Sequence, residues 1–114
     1  GRLSFAQVVH QGEGGVDGLA GANSVTVSPD GAHVYIASAS DAVAVFRRDG
    51  ESGTLSFAQV VRQGEGGVDG LVGASSVTVS PDGAHVYVAS HLGDAVAVFK
   101  RDWGSGTLSY KGRS

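Results

Sequence analysis

The feature that most constrains this sequence is a tandem repeat covering nearly all of its 114 residues. Residues 3–38 align with 55–90 without a gap, and only four of these residue pairs differ. One residue is inserted near His91, after which 41–54 align with 94–107. Repeats of about 20–50 residues are typical of solenoids, propellers and arrays, and this one is slightly longer. Near-identity means that both copies accept almost the same neighbours, as the units of a rotationally symmetric ring do.

Each repeat contains four strand-like runs and no stretch with the apolar spacing and caps of a helix. A Ser-Pro-Asp-Gly turn joins the first two runs. In the first run valine alternates with threonine and serine, and the second run is rich in β-branched and aromatic residues. The runs are 24–28, 33–38, 42–46 and 55–61, then 76–80, 85–90 and 95–99, with 3–9 as an earlier copy of the fourth. Four antiparallel strands per repeat predict an all-β β-propeller with one blade per repeat. A Greek-key sandwich is the alternative, but it would not predict two nearly identical halves.

The repeat resembles a known family. The segments VTVSPDG at 77–83, VYVAS at 86–90 and AVAVF at 95–99 resemble the YVTN-type repeat of lactonase-like β-propellers, the group that includes 6-phosphogluconolactonase. GTLSF at 53–57 is similar to the start of that family's outermost strand. The resemblance implies four-stranded antiparallel blades, about seven per chain in full family members. Two nearly identical blades predict a recently amplified or engineered propeller fragment.

In the blade order that the resemblance implies, the first run is innermost and the fourth forms the outer edge. Residues 24–62 then form the first blade and 76–110 the second, within one unit spanning 1–114. Residues 3–9 form an outer strand with no inner strands before it, and we predict that it is donated to another copy's second blade. Residues 107–110 repeat the start of this strand and could fill the same edge. They diverge early, so we expect 3–9 to prevail.

Two blades cannot close a ring alone, and they would leave apolar faces and a sheet edge exposed. Association of identical chains through a head-to-tail interface removes both and stops on closure. We therefore predict a homo-oligomeric ring, with a tetramer of eight blades favoured over six or ten. The residues expected to support assembly are Leu3, Phe5, Val8, Val9, Val96, Val98 and Phe99.

Composition excludes several other classes of protein. The formal charge of −3 gives no electrostatic reason to expect a nucleic-acid or membrane partner. The chain has no cysteine, which removes disulfides and thiolate chemistry from consideration. No apolar run approaches the length of a membrane-spanning helix, and no signal peptide is visible.

The candidate ligand-binding residues lie in loops that the resemblance places on one side of the ring. They are Glu13, Asp17, Glu65, Asp69, His91 and Asp94. The repeated carboxylates could hold a cation, and a His–Asp pair can perform acid–base work, but tight glycine loops explain the same pattern. His33 and His85, which follow the turns, are expected to face solvent. We predict no catalytic residues, no metal site and no cofactor.

Three functions remain open from the sequence. The first is structural: a fragment that assembles with its own copies and has no evident catalytic activity. The second is a module that binds a small ligand or sugar through the repeated loops. The third is a sugar-lactone hydrolase, which is implied only by the family resemblance, since fold alone does not specify function.

Overall fold

The computed structural model describes residues 4–113, and these form two four-stranded antiparallel sheets with the strand order β1-β2-β3-β4 and β5-β6-β7-β8. The strands are β1 Ala22–Val27, β2 His33–Ser38, β3 Ala42–Arg48, β4 Leu55–Arg62, β5 Ala74–Val79, β6 His85–Ser90, β7 Ala95–Arg101 and β8 Leu108–Arg113. One 3₁₀ turn, Glu65–Gly67, is the sole helical element of the described residues. The predicted all-β fold with two blades is confirmed, and each sheet begins two residues earlier than its predicted blade.

The outer edge of each blade is filled by a strand from the same chain. β4 pairs with β3, and β8 pairs with β7 from Arg101↔Leu108 to Ala97↔Arg113. In a single chain the edge of the second blade is therefore occupied by 108–113. Residues 4–10 form no strand in this chain, and the donation of 3–9 to another copy stays a prediction.

The core lies between the two blades because alternate residues of each strand point to opposite faces of the sheet. Tyr35, Val43 and Val45 of the first blade pack against Val77 and Phe99 of the second, and all are buried. The small side chains of the Ala-Val alternation in β3 and β7 allow this close approach. Since one interface buries only one face of each blade, the opposite faces remain without a second blade.

Antiparallel connection gives the unit two distinct ends. The loop end carries 10–21, 39–41, 63–73 and 91–94, whereas the turn end carries 28–32, 49–54, 80–84 and 102–107. The predicted ligand-binding residues all lie at the loop end. Both Ser-Pro-Asp-Gly turns lie at the turn end, where the serine hydroxyl and the aspartate carboxylate accept backbone hydrogen bonds that close the hairpin.

Candidate functional site

The aspartates of the two glycine-rich loops act as structural anchors. Asp17 accepts hydrogen bonds from the Gln11 amide (2.9 Å) and the Gly18 amide (2.8 Å), and it pairs with Arg62. The Gln11 carbonyl in turn accepts from the Leu19 amide at 2.7 Å. This arrangement closes the loop around its own backbone, which gives the Asp17 carboxylate a structural role.

The second loop repeats this anchor with one difference. Asp69 accepts from the Gln63 amide and the Gly70 amide, both at 2.9 Å, as Asp17 does in the first loop. Its cationic partner is Arg113 of β8, with Nε 2.8 Å from the carboxylate. The sequence repeat therefore reproduces the loop geometry, while different positions of the outer strands supply the guanidinium.

These contacts lower the pKa of both carboxyl groups. The hydrogen bond from Arg62, with those from Gln11 and Gly18, lowers the pKa of Asp17 to about 2. For Asp69, the hydrogen bond from Gln63 is the largest cause of a lowered pKa, followed by that from Gly70. Both groups are ionised at neutral pH, so neither is suited to donate a proton as a general acid.

The remaining predicted ligand-binding residues lie at the surface of the loop end. Glu13, Glu65, His91 and Asp94 are exposed in their loops, and no hydrogen bond joins His91 to Asp94 among the described residues. Within residues 4–113, no group of three His, Cys, Asp or Glu side chains is arranged to hold a metal ion. Among the described residues, no side-chain hydrogen bond at the loop end joins any two of the six predicted residues.

The most extensively built polar cluster lies instead at the turn end, between the blades, and centres on Arg101. Arg101 is fully buried, and its Nη2 donates to both carboxylate oxygens of Asp30 at 3.1 and 3.0 Å. Its Nε donates to the Tyr35 hydroxyl at 2.8 Å, and Nη1 donates to the Gly83 carbonyl at 3.0 Å. A buried cation requires such compensation, so this cluster orients one blade on the other.

His33 belongs to the same cluster, and the prediction that it faces solvent is wrong. Its ring is buried, and Nδ1 lies 2.8 Å from Nη2 of Arg101. Arginine can only donate, so Nδ1 accepts and the imidazole is neutral in this arrangement. Burial lowers the pKa of His33, and the adjacent Arg101 lowers it further. The sequence places this histidine after a turn, where exposure is usual, and it does not show which residue of the other repeat covers it.

The Arg101 cluster includes backbone contacts that need glycine. The Tyr35 hydroxyl donates to the Gly106 carbonyl at 2.6 Å. A Cβ on Gly106 would lie 2.1 Å from the His33 ring, and the φ of this residue is +76°. Gly106 is therefore required both for its left-handed backbone and for the close approach of His33.

A second polar contact joins the blades at the loop end. The Asp41 carboxylate accepts from the Gly73 amide at 2.7 Å, and the Asn23 side-chain amide donates to the Ala74 carbonyl at 3.0 Å. The interface is thus held at both ends, with the apolar core between them.

The face of each blade that points away from the other blade carries residues whose counterparts in the other repeat are buried between the blades. We define the front face as the open side of the second blade, with Tyr87, Ala89, Val96 and Val98. We define the back face as the open side of the first blade, with Val25, Val27 and Arg48. Tyr87 and Val96 are 36% and 38% exposed, whereas their counterparts Tyr35 and Val43 are fully buried. Val25 is 64% exposed, whereas its counterpart Val77 is 5% exposed.

The residues predicted to support assembly lie in three different places in the structure. Val96 and Val98 lie on the front face, whereas Phe99 is fully buried in the core between the blades. Phe5 and Val8 are exposed, and Val9 packs beside Phe46 over the back face. Leu3 lies outside the described residues.

Residues 4–10 lie beside the first blade as β4 lies beside the second. The Gln7 side-chain amide donates to the Leu55 carbonyl at 3.1 Å, and its carbonyl accepts from the Leu55 amide at 2.8 Å. Gln59 of β4 makes the same pair of bonds with Leu108, at 3.2 and 2.8 Å. The N-terminal segment therefore occupies the position that the outer strand of a preceding blade would occupy.

No helix of the described residues is both long enough and apolar enough to cross a membrane. No curated protein matches the sequence significantly. Solved structures do match it over most of its length, with TM-scores above 0.7.

The matching structures include lactonase-type propellers. A periplasmic gluconolactonase from Pseudomonas aeruginosa is 28% identical with a TM-score of 0.77, over 99% of this chain and 30% of its own. A candidate 6-phosphogluconolactonase from Bacteroides uniformis is 28% identical with a TM-score of 0.74, over 88% and 28%. Another from Bacteroides fragilis is 25% identical with a TM-score of 0.72, over 82% and 25%.

The chain thus spans 25–30% of the length of these three structures, which corresponds to its two blades. The sequence model of the family described as "Lactonase, 7-bladed beta-propeller" matches residues 7–114. Together with the two four-stranded sheets, this match shows that the chain belongs to the lactonase family of β-propellers.

Proposed function

We propose that this chain is a propeller-building unit that associates head-to-tail with copies of itself into a closed lactonase-type ring. The observation that carries the proposal is the difference in burial between repeat counterparts. Val25 is exposed, whereas its repeat counterpart Val77 is buried. Val96 is likewise exposed, whereas its counterpart Val43 is buried. A second copy that places its front face on the back face would repeat the interface already present within the chain.

The apolar character of both faces supports the association. Val25 and Val27 are 64% and 49% exposed on the back face, where a cavity of about 300 Å³ also opens beside Ile36. Burying a valine side chain contributes about 1.5–3 kcal/mol, so covering these residues favours a stable contact. Because the two faces differ, the contact is heterologous and ends only when a ring closes.

We favour four copies and eight blades. Two blades per chain give an even total when every blade joins the ring, and propellers of four to eight blades are usual. Six blades would leave a narrow ring for a repeat of this length, and ten would exceed the usual range. The seven blades of the family description are not reached by whole copies of this unit.

The front face offers a direct test of the assembly. Val96→Asp places a charge in the proposed contact without touching the core of the monomer, and we expect sedimentation velocity to show dissociation into single chains. Leu92→Asp is the control, since Leu92 is 71% exposed in a loop outside both faces. Equal sedimentation of the two variants as oligomers would exclude the front face as the contact.

A second candidate function is hydrolysis of a sugar lactone by the assembled ring. It is favoured by the likeness to the Pseudomonas aeruginosa gluconolactonase across 99% of this chain. His91 and Asp94, at the loop end, are the acid–base residues to examine. Hydrolysis of glucono-δ-lactone above the buffer rate, lost in His91→Ala and Asp94→Asn but retained in Arg47→Ala at the opposite end of the unit, would support this candidate. A rate equal to buffer for the wild-type oligomer would reject it.

A further inference from the structure

We infer that Arg48 on the back face is a docking site for a second copy of this chain. It contacts Asp82, His85 and Tyr87 on the front-face side of that copy. This inference rests on the proposed assembly and specifies the polar contact that sets its orientation. The partner is a second copy of this chain, because all four residues are the repeat counterparts of the cluster around Arg101.

Arg48 is already positioned as Arg101 is. Both follow the Ala-Val alternation, at the ends of β3 and β7, and both donate from Nη1 to the carbonyl of a turn glycine at 3.0 Å. Arg101 continues from there to Asp30, Tyr35 and His33 across the interface. Among the described residues Arg48 forms no ion pair, because the blade that would supply one is the neighbour's.

The front-face side of the second blade carries Asp82, His85 and Tyr87, the counterparts of the residues that contact Arg101. The Asp82 carboxylate accepts from the Ala84 amide at 3.0 Å, as Asp30 does from the Ala32 amide. The His85 and Tyr87 rings lie 6.4 Å apart on this face. An acidic group on one face and a guanidinium on the other make the two faces electrostatically complementary, which fixes orientation and register.

The glycine that receives the cluster is also duplicated. Gly53 has the same φ of +76° as Gly106, and nothing lies within 4 Å of the Cβ position on Gly53. In the internal interface the His33 ring fills the equivalent space. The back face therefore has both the cation and an open space of the kind that a docking histidine needs.

Docking would bury His85 beside a cation, as His33 is buried beside Arg101. The charged or titratable groups facing His33 are Arg101, Asp30, Arg47 and Asp102. Their counterparts around a docked His85 are Arg48, Asp82, Lys100 and Asp49. The docked set would carry two positive and two negative charges, so its electrostatic balance would match that of the internal cluster around His33.

The first experiment compares Arg48→Ala with Arg47→Ala by sedimentation equilibrium. Arg47 is exposed on the same strand and alternates to the opposite side, so it matches Arg48 in charge and chain position. Truncating one member of a desolvated charge pair is expected to raise the dissociation constant about 30-fold or more, and Arg47→Ala only slightly. If the wild type assembles and both variants assemble equally well, the inferred contact of Arg48 with the second copy is wrong, although the proposed assembly stands. A monomeric wild type would instead defeat the proposed assembly itself.

A mixing experiment separates loss of docking from loss of folding. Arg48→Ala keeps an intact front face, whereas Asp82→Ala keeps an intact back face. Each variant alone should be monomeric, and their mixture should form a discrete dimer through the one intact Asp82–Arg48 contact. Native mass spectrometry with one isotope-labelled chain identifies the heterodimer. A mixture that stays monomeric while circular-dichroism spectra show both variants to be folded would overturn the inference.

Discussion

At the scale of single residues, the ion pair between Asp30 and Arg101 gives the sharpest contrast between the two repeats. Asp30 and its counterpart Asp82 accept the same hydrogen bonds within their turns, but only Asp30 also binds a buried arginine inside the chain. The two aspartates therefore separate the contribution of the turn from that of the ion pair.

We expect Asp30→Ala to lower the free energy of unfolding of the monomer by about 1–3 kcal/mol more than Asp82→Ala does, because it leaves a buried guanidinium without its carboxylate. Urea unfolding at concentrations where the chain is monomeric measures the difference. Equal losses for the two variants would show that the aspartates act only within their turns.

His33 gives a prediction for the pH dependence of stability. Its folded pKa lies below the usual value of 6.5, so the unfolded chain binds the proton more readily. The stabilisation is complete above about pH 7 and is lost as pH falls through and below about 6.5, with a slope of at most about 1.4 kcal/mol per pH unit. Monomer unfolding followed from pH 7.5 downward should show this loss in the wild type and in His85→Gln, and a smaller loss in His33→Gln. An unchanged slope in His33→Gln would refute the assignment.

At the scale of secondary-structure elements, the outer strands compete for one position. β8 fills the edge of the second blade, yet it has Gly112 at the position where β4 has Gln59. Gln59, like Gln7, bonds the backbone of the next blade through its side-chain amide. Gln7 therefore gives the N-terminal segment a pair of hydrogen bonds to the neighbouring blade that β8 cannot make.

We expect deletion of 1–9 to weaken assembly more than deletion of 108–114. The N-terminal segment contributes Phe5, Val8 and Gln7, and burial of each apolar side chain is worth about 1.5–3 kcal/mol. Size-exclusion chromatography of both truncations with matched circular-dichroism spectra measures the effect. Closely similar elution of the two truncations would argue against strand exchange.

The elements were more predictable from the sequence than their contacts. Turn chemistry and β-branched alternation place β2 and β3 correctly, because these signals are local. The Arg101 cluster could not be found in this way, since Asp30 and Arg101 are 71 residues apart and meet only when the blades stack. One available signal was the arginine at the end of the third strand in both repeats, where alternation points it toward a neighbouring blade.

At the scale of the whole molecule, the loop end illustrates the limit of motif reasoning. Repeated Glu and Asp residues suggested a ligand site, but Asp17 and Asp69 are engaged by glutamine side chains and backbone amides of their own loops and by arginines of the outer strands. Whether the loops converge on a channel depends on how many blades surround it, and that number follows from small angles between blades. A sequence of two repeats does not encode those angles in any local pattern.

The central claim is that the front and back faces of this unit bind each other and close a ring. Native mass spectrometry of the wild-type chain tests it most directly, because it counts copies without any assumption about shape. The account predicts a single closed species of four chains that is stable to dilution at micromolar concentration. A chain that remains monomeric throughout the micromolar range would contradict it.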